Sequence, residues 1–263
     1  RWEKWFIWFF ENGSGKVLLM NNKIDKANMF QSIWDFPENI IDAVKLSDSI
    51  LLDNIYDDVS KIIIAGMGGS AIGGDVVNSL IKEDIKFPYF VNRGYDIPAW
   101  TDSSTLVICS SYSGNTEETI SVLNKAKSVN AKVIGITTGG TLESLCIESK
   151  YDHVIIPSGL QPRAALAFSF IPLLFILKKS GIIQTELKTW LHSSAKLIKS
   201  KREEYSKHDD ENDVFNLAKN IYSKWPIIYA DSEFLESIAV RLKGQLCENG
   251  KILSYHSTFP EMN

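Results

Sequence analysis

Five short apolar runs, rich in β-branched residues, lie at positions 61–65, 88–91, 105–109, 132–137 and 153–156. Runs this short without polar alternation are strands covered on both faces. Stretches at 117–128 and 142–149 carry helical spacing between them. Strands alternating with helices of this length form βαβ units, and these close into a parallel sheet with helices on either side. The fold expected is therefore α/β, a doubly wound parallel sheet. With 263 residues, 44% hydrophobic and 23% charged, the chain has the make-up of a globular protein of one large or two ordinary domains.

The flanking segments extend this pattern. Ile40, Ile41, Val44, Leu51, Leu52 and Ile55 repeat at helical spacing over 36–56, predicting a helix or a pair of helices before the sheet. The apolar segment 163–177 is too short to span a bilayer and reads as a buried helix that Pro172 kinks or divides. A Lys- and Glu-rich helix is expected over 186–205, then a charged joint over 206–213. After it, helical periodicity resumes at Val214, Leu217, Ala218 and Ile221. A strand at 226–230, a helix through Leu246 and a strand at 252–257 complete what reads as a second, incomplete copy of the first pattern. At about 50 residues that copy is below the size at which a domain usually folds alone. The expected division is 1–28, 29–160, 161–210 and 211–263: an aromatic-rich extension, a first domain, connecting helices and the start of a second domain. Six aromatics fall in the first ten positions, and the chain opens on Arg1, with Met20 and Met29 as candidate initiators. The chain is read as a fragment of a longer protein.

Bulk properties narrow the chemistry. A net charge of −4 offers no basic excess to neutralise a nucleic-acid backbone, so nucleic acid is not an expected partner, and neither is a membrane. Cys109, Cys146 and Cys247 are too few and too scattered for a disulfide framework, and Cys109 and Cys146, in apolar segments, read as reduced core residues of a cytoplasmic protein.

Two loops carry the chemistry. After the strand at 105–109 come Ser110-Ser111-Tyr112-Ser113-Gly114-Asn115-Thr116 and then a helix start at Glu117-Glu118. Hydroxyls, a glycine and a helix N-terminus at the carboxyl edge of a parallel sheet suit a phosphate dianion. The loop contains no Lys or Arg, so it fits a phosphate that is bound and released unchanged. The lysine and metal of phosphoryl transfer have no signature here. After the strand at 61–65, Gly66-Met67-Gly68-Gly69-Ser70-Ala71 supplies a second wall for the same pocket. This glycine loop also satisfies a dinucleotide-binding fingerprint, and Arg93 could meet a 2′-phosphate. The missing acidic residue after the next strand, and glycines continuing through Gly73-Gly74, count against that alternative.

Five motifs occur in the order of a known group: Gly66-Met67-Gly68-Gly69-Ser70, Ser111-Tyr112-Ser113-Gly114-Asn115-Thr116, Pro162-Arg163-Ala164-Ala165-Leu166-Ala167, Glu248-Asn249-Gly250-Lys251 and Phe259-Pro260-Glu261-Met262-Asn263. In these the chain resembles, over roughly 29–263, the bifunctional phosphoglucose/phosphomannose isomerases, which are built from two sugar isomerase (SIS) domains. The resemblance implies interconversion of glucose 6-phosphate or mannose 6-phosphate with fructose 6-phosphate through a cis-enediol, without metal or other cofactor, in a homodimer. It implies that Gly68, Gly69, Ser70, Ser111, Ser113 and Thr116 bind the substrate. Glu248 would move the proton between C1 and C2, and Arg163 would stand over the reacting carbons. The residue types agree with the chemistry: a carboxylate can take and return one proton, and a guanidinium can stabilise the oxyanion without losing its own. Glu117 and Glu118 serve the helix N-terminus. The family's His after the Pro-Glu-Met-Asn motif, contributed by a partner subunit, would fall one position beyond Asn263. The fragment is therefore expected to be impaired. His256 is read as structural or surface, and His153, His192 and His208 have no motif support. The alternative in another class is a sensing module that binds a sugar phosphate without catalysis, with no use for Glu248 or Arg163.

Overall fold

A computed structural model describes residues 25–207 and 210–260. Expectations placed on residues 1–24, on His208 and on Glu261-Met262-Asn263 lie outside the described residues. The elements in chain order are α1 (Met29–Trp34), α2 (Phe36–Asp48), β1 (Lys61–Ala65), α3 (Gly68–Ile81), β2 (Tyr89–Asn92), β3 (Thr105–Ser111), α4 (Glu117–Ser128), β4 (Lys132–Thr137), α5 (Gly140–Ser149), β5 (Asp152–Ile155), a 3₁₀ turn (Pro162–Ala164), α6 (Leu166–Lys179), α7 (Leu187–Tyr205), α8 (Asp213–Ile221), β6 (Ile227–Asp231), α9 (Glu236–Glu248) and β7 (Tyr255–Phe259).

The first five strands form one parallel sheet in the order β2-β1-β3-β4-β5. Alternation along the strands divides the core into two layers. Ile62, Ile64, Leu106, Ile108, Ile134 and Ile136 face α2, α3, α6 and α7, where they meet Val44, Val77, Ile171, Leu174 and Leu187. Ile63, Ala65, Val107, Cys109 and Val133 face the other way, onto Val122, Leu123 and Ala126 of α4 and Leu142 and Cys146 of α5. Both faces are dry, as unbroken β-branched strands require. The fold is the doubly wound α/β arrangement expected. A separate two-stranded parallel sheet pairs β6 with β7, with α9 crossing between them.

Several boundaries differ from the periodicity, each for a local reason. Helix α2 stops at Asp48, and the predicted continuation to 56 is irregular. There the Asp53 and Asn54 backbone amides donate to the Asp152 carboxylate (2.8 and 3.1 Å), and the Tyr56 hydroxyl donates to it at 2.5 Å. Strand β3 continues two residues past Cys109, so Ser110 and Ser111 are ladder residues paired to Ile136 and Thr137. Helix α3 starts at Gly68, so Gly73 and Gly74 are helical and not part of an open loop. A Cβ on Gly73 would stand 2.6 Å from Ser169 Oγ of α6, which is why the helices meet at a glycine. A single helix α6 passes through Pro172, with every side chain from Leu166 to Leu177 buried. Burial on all sides offsets the hydrogen bond that the proline removes, roughly 3 kcal/mol or more. Strand β7 begins at Tyr255, later than its pattern predicts.

Asp152 is 7% exposed and holds the irregular 53–56 segment against the edge strand β5. Burial pushes its carboxyl up, but the Tyr56 hydroxyl and the Asp53 and Asn54 donors outweigh this and leave it below the ordinary Asp value. Its contribution is therefore complete above the unfolded carboxylate value and is lost as pH falls through the lower folded value. Asp152→Ala should cost about 3 kcal/mol at neutral pH, read by urea unfolding, and the difference from wild type should shrink as the medium is acidified. A deficit that does not change with pH would remove the charge from this explanation.

Candidate functional site

The strand order itself makes a crevice. The chain leaves β1 toward β2 on one side of the sheet, whereas β3 lies on the other side of β1, so the carboxyl ends of β1 and β3 flank a topological switch point. The loop at 66–70 follows β1 and the loop at 112–116 follows β3. Two segments about forty positions apart in sequence thus become the two walls expected of a small anion pocket.

On the β3 side, Ser111 closes the strand and is buried, with its hydroxyl 2.8 Å from that of Thr116. Thr116 occupies the N-cap position of α4 but makes no side-chain cap bond, so its hydroxyl turns to Ser111 and the first amides of α4 are left to an incoming acceptor. Ser113 is exposed, and its hydroxyl accepts from the Asn115 amide at 3.2 Å. Three of the predicted hydroxyl residues therefore cluster at one helix start. Gly114 makes this possible. Its φ of +69° is left-handed, and a Cβ there would stand 1.7 Å from the Gly139 carbonyl oxygen. Asn115 completes the weld to α5, its Oδ1 accepting from the Thr141 amide (3.1 Å) and hydroxyl (2.9 Å).

On the β1 side, Gly68 has φ of +49° and open space around it, while Gly69 lies against the Pro162 carbonyl, 2.8 Å from where a Cβ would be. Ser70 sits half-buried in the first turn of α3. Arg93, the residue a dinucleotide phosphate would need, is paired with Asp75 of α3. Burial raises the Asp75 carboxyl above its ordinary value, and the Arg93 charge opposes that rise.

Arg163 stands in the 3₁₀ turn, not at the head of α6, and Glu248 is the last residue of α9. The structure brings them together: Arg163 Nη1 lies 4.0 Å from Glu248 Oε2. Arg163 Nε donates to Asn249 Oδ1 at 2.7 Å, and the Arg163 carbonyl accepts from Arg241 (3.2 Å) and Gln245 (3.4 Å). Burial lowers the Arg241 pKa, and the neighbouring Glu248 charge opposes the shift. A guanidinium beside an exposed carboxylate can polarise an oxygen and exchange a proton on one small ligand.

Sequence reasoning missed three side chains that build this site. Tyr112 accepts from the Leu160 amide and donates to the Pro157 carbonyl, tying the hydroxyl loop to the segment that leads into the 3₁₀ turn. Arg241 and Gln245 share a face of α9 with Asn249, a spacing of four residues that could have found them. His256 lies in β7, paired to Ile228. Among the described residues no cluster of three or more His, Cys, Asp or Glu side chains is placed to hold a metal, and no helix is long and apolar enough to cross a membrane. A cavity of about 880 Å³, walled by Phe30, Trp34, Leu197, Tyr205, Leu242 and Leu246, touches Arg163 and Asn249. It does not reach Ser70, Ser111, Ser113, Thr116 or Glu248, and Arg163, Lys201, Arg202 and Arg241 stand among its apolar walls.

The sequence and the fold match those of known proteins. Residues 55–174 match the SIS domain, and residues 210–263 match the bacterial phospho-glucose isomerase C-terminal SIS domain. The bifunctional phosphoglucose/phosphomannose isomerase of Caldicellulosiruptor bescii is 44% identical over 237 residues, covering 89% of this chain and 70% of that protein. The protein of the same description from Thermoplasma volcanium is 37% identical over 224 residues, 83% of this chain and 66% of that one. The C-terminal domain of glucosamine-fructose-6-phosphate aminotransferase from Francisella tularensis superposes with a TM-score of 0.67 at 20% identity, covering 90% of this chain and 71% of that domain, and so shares the fold.

The Gly114 contact should dominate the loop's integrity. Gly114→Ala forces an L side chain into a left-handed backbone and against the Gly139 carbonyl, and should cost about 3 kcal/mol in urea unfolding. Gly94→Ala meets only Asn92 Oδ1 at 3.8 Å and should be close to neutral. Equal losses at the two positions would show that the weld is not what holds the loop.

Proposed function

Because the chain belongs to the bifunctional phosphoglucose/phosphomannose isomerase family, we propose that it interconverts glucose 6-phosphate or mannose 6-phosphate with fructose 6-phosphate by moving one proton between C1 and C2. The hydroxyls of Ser111, Ser113 and Thr116, with Ser70 and the backbone of Gly68 and Gly69, take the phosphate. The free amides at the start of α4 add a favourable dipole. The sugar then runs across the crevice toward the 3₁₀ turn. Glu248 removes the proton from C2 of the open-chain aldose, the electrons move to give a cis-enediolate with its charge on O1, a proton passes from O2 to O1, and the same carboxyl returns the carbon-bound proton to C1. Arg163 stabilises the oxyanion formed between the two steps. This mechanism requires no metal, since a permanent cation is already beside the base. The single observation that carries the reading is the meeting of Arg163 and Glu248, 4.0 Å apart, on the far side of the Gly69–Pro162 contact. A module that merely sensed a sugar phosphate would have no use for that pair.

Two variants of the full-length protein separate binding from chemistry. Glu248→Gln should abolish exchange of the C2 proton with solvent deuterium while fructose 6-phosphate still raises the melting temperature. Exchange at the wild-type rate would remove Glu248 from the mechanism. Thr116→Ala should raise KM for the phosphorylated sugar by about ten-fold and change kcat by less than about three-fold, because the phosphate contact is common to ground and transition states. The reverse pattern would place Thr116 in the chemical step.

A further inference from the structure

The Arg163–Glu248 pair is held apart. An unconstrained guanidinium and carboxylate close to about 2.8 Å, commonly through two parallel bonds. Here the nearest approach is 4.0 Å, although nothing covalent separates the groups and Glu248 is more than half exposed. The restraint is visible on Arg163 itself. Its Nε is spent on Asn249 Oδ1 at 2.7 Å, and its carbonyl is clamped by Arg241 and Gln245 of α9. Asn249 is in turn fixed, its Nδ2 donating to Gln245 Oε1 at 2.6 Å and its own amide bonding the Gln245 carbonyl at 2.9 Å.

We propose that Asn249 is a positioning residue whose amide oxygen keeps the Arg163 guanidinium from collapsing onto Glu248. The inference rests on the reading of Glu248 as the proton carrier. A carboxylate locked to a guanidinium holds a proton poorly, and its lone pairs are occupied. An arginine spent on that carboxylate has less to offer an oxyanion. Asn249 separates the two while adding no charge of its own. The charged groups that act on Glu248 are Arg163 from the turn and Arg241 from its own helix, and neither is displaced by this arrangement. The working part of the device is an acceptor at position 249, so aspartate should hold the gap open where alanine does not.

The test uses the full-length protein. In crystals of Asn249→Ala the Arg163–Glu248 separation should close to about 2.8 Å. The same variant should lose roughly ten-fold in kcat while KM for fructose 6-phosphate stays within about two-fold. Asn249→Asp keeps an acceptor for Arg163 Nε, so the gap should stay open, although the added charge beside Arg163 lowers kcat on its own. A separation that remains near 4 Å in Asn249→Ala would overturn the proposal, as would a gap that closes in Asn249→Asp. Failure of the isomerase reading is distinguishable, because it would appear as exchange persisting in Glu248→Gln, whereas the crystallographic distance tests Asn249 without reference to turnover.

Discussion

The contact between Gly69 and the Pro162 carbonyl is the joint on which the site depends. No side chain fits between them, so the backbone of α3's first turn and the 3₁₀ turn approach as closely as two peptides can. On one side of that joint lie the glycine loop and the hydroxyl cluster of the first sheet. On the other lie Arg163 and, through it, the C-terminus of α9 in the second sheet. Ser169 of α6 reinforces the joint by donating to the Gly69 carbonyl, and the close approach at Gly73 keeps α3 flat against α6. The glycine loop and the Arg163–Glu248 pair, from distant parts of the chain, are thereby linked through packing of backbone on backbone.

The two halves differ in how firmly they are held. Gly114, Asn115, Thr137, Thr138 and Thr141 knit the hydroxyl loop to the start of α5 through backbone and short side-chain bonds. The α9 side is joined through the Arg163–Asn249 bond, the Ser79–Ser237 hydroxyl pair and the exposed Lys82–Glu233 ion pair, the last only marginally stabilising.

Much of this was legible in the residues. The unbroken β-branched runs gave β1, β3 and β4 nearly to the residue, because strands buried on both faces have no competing pattern. The hydroxyl and glycine loops were recognisable because turn and helix-start chemistry is local. What escaped was non-local. The end of α2 is set by Asp152, nearly a hundred residues away, and helical spacing alone could not reveal that clamp. Ser110 and Ser111 join β3 because Ile136 and Thr137 offer them ladder partners, overriding a polar run that reads as loop. Arg163 sits in a 3₁₀ turn because Pro162 opens it, and its partners Gln245 and Asn249 can be known only once α9 is packed against that turn.

A crystal structure of the full-length protein bound to fructose 6-phosphate tests the central claim most directly. The phosphorus should lie among Ser111, Ser113, Thr116 and the first amides of α4, with C1 and C2 turned toward Glu248 and the sugar oxygens toward Arg163. A phosphate seated elsewhere, such as in the apolar cavity between α1, α7 and α9, would contradict it.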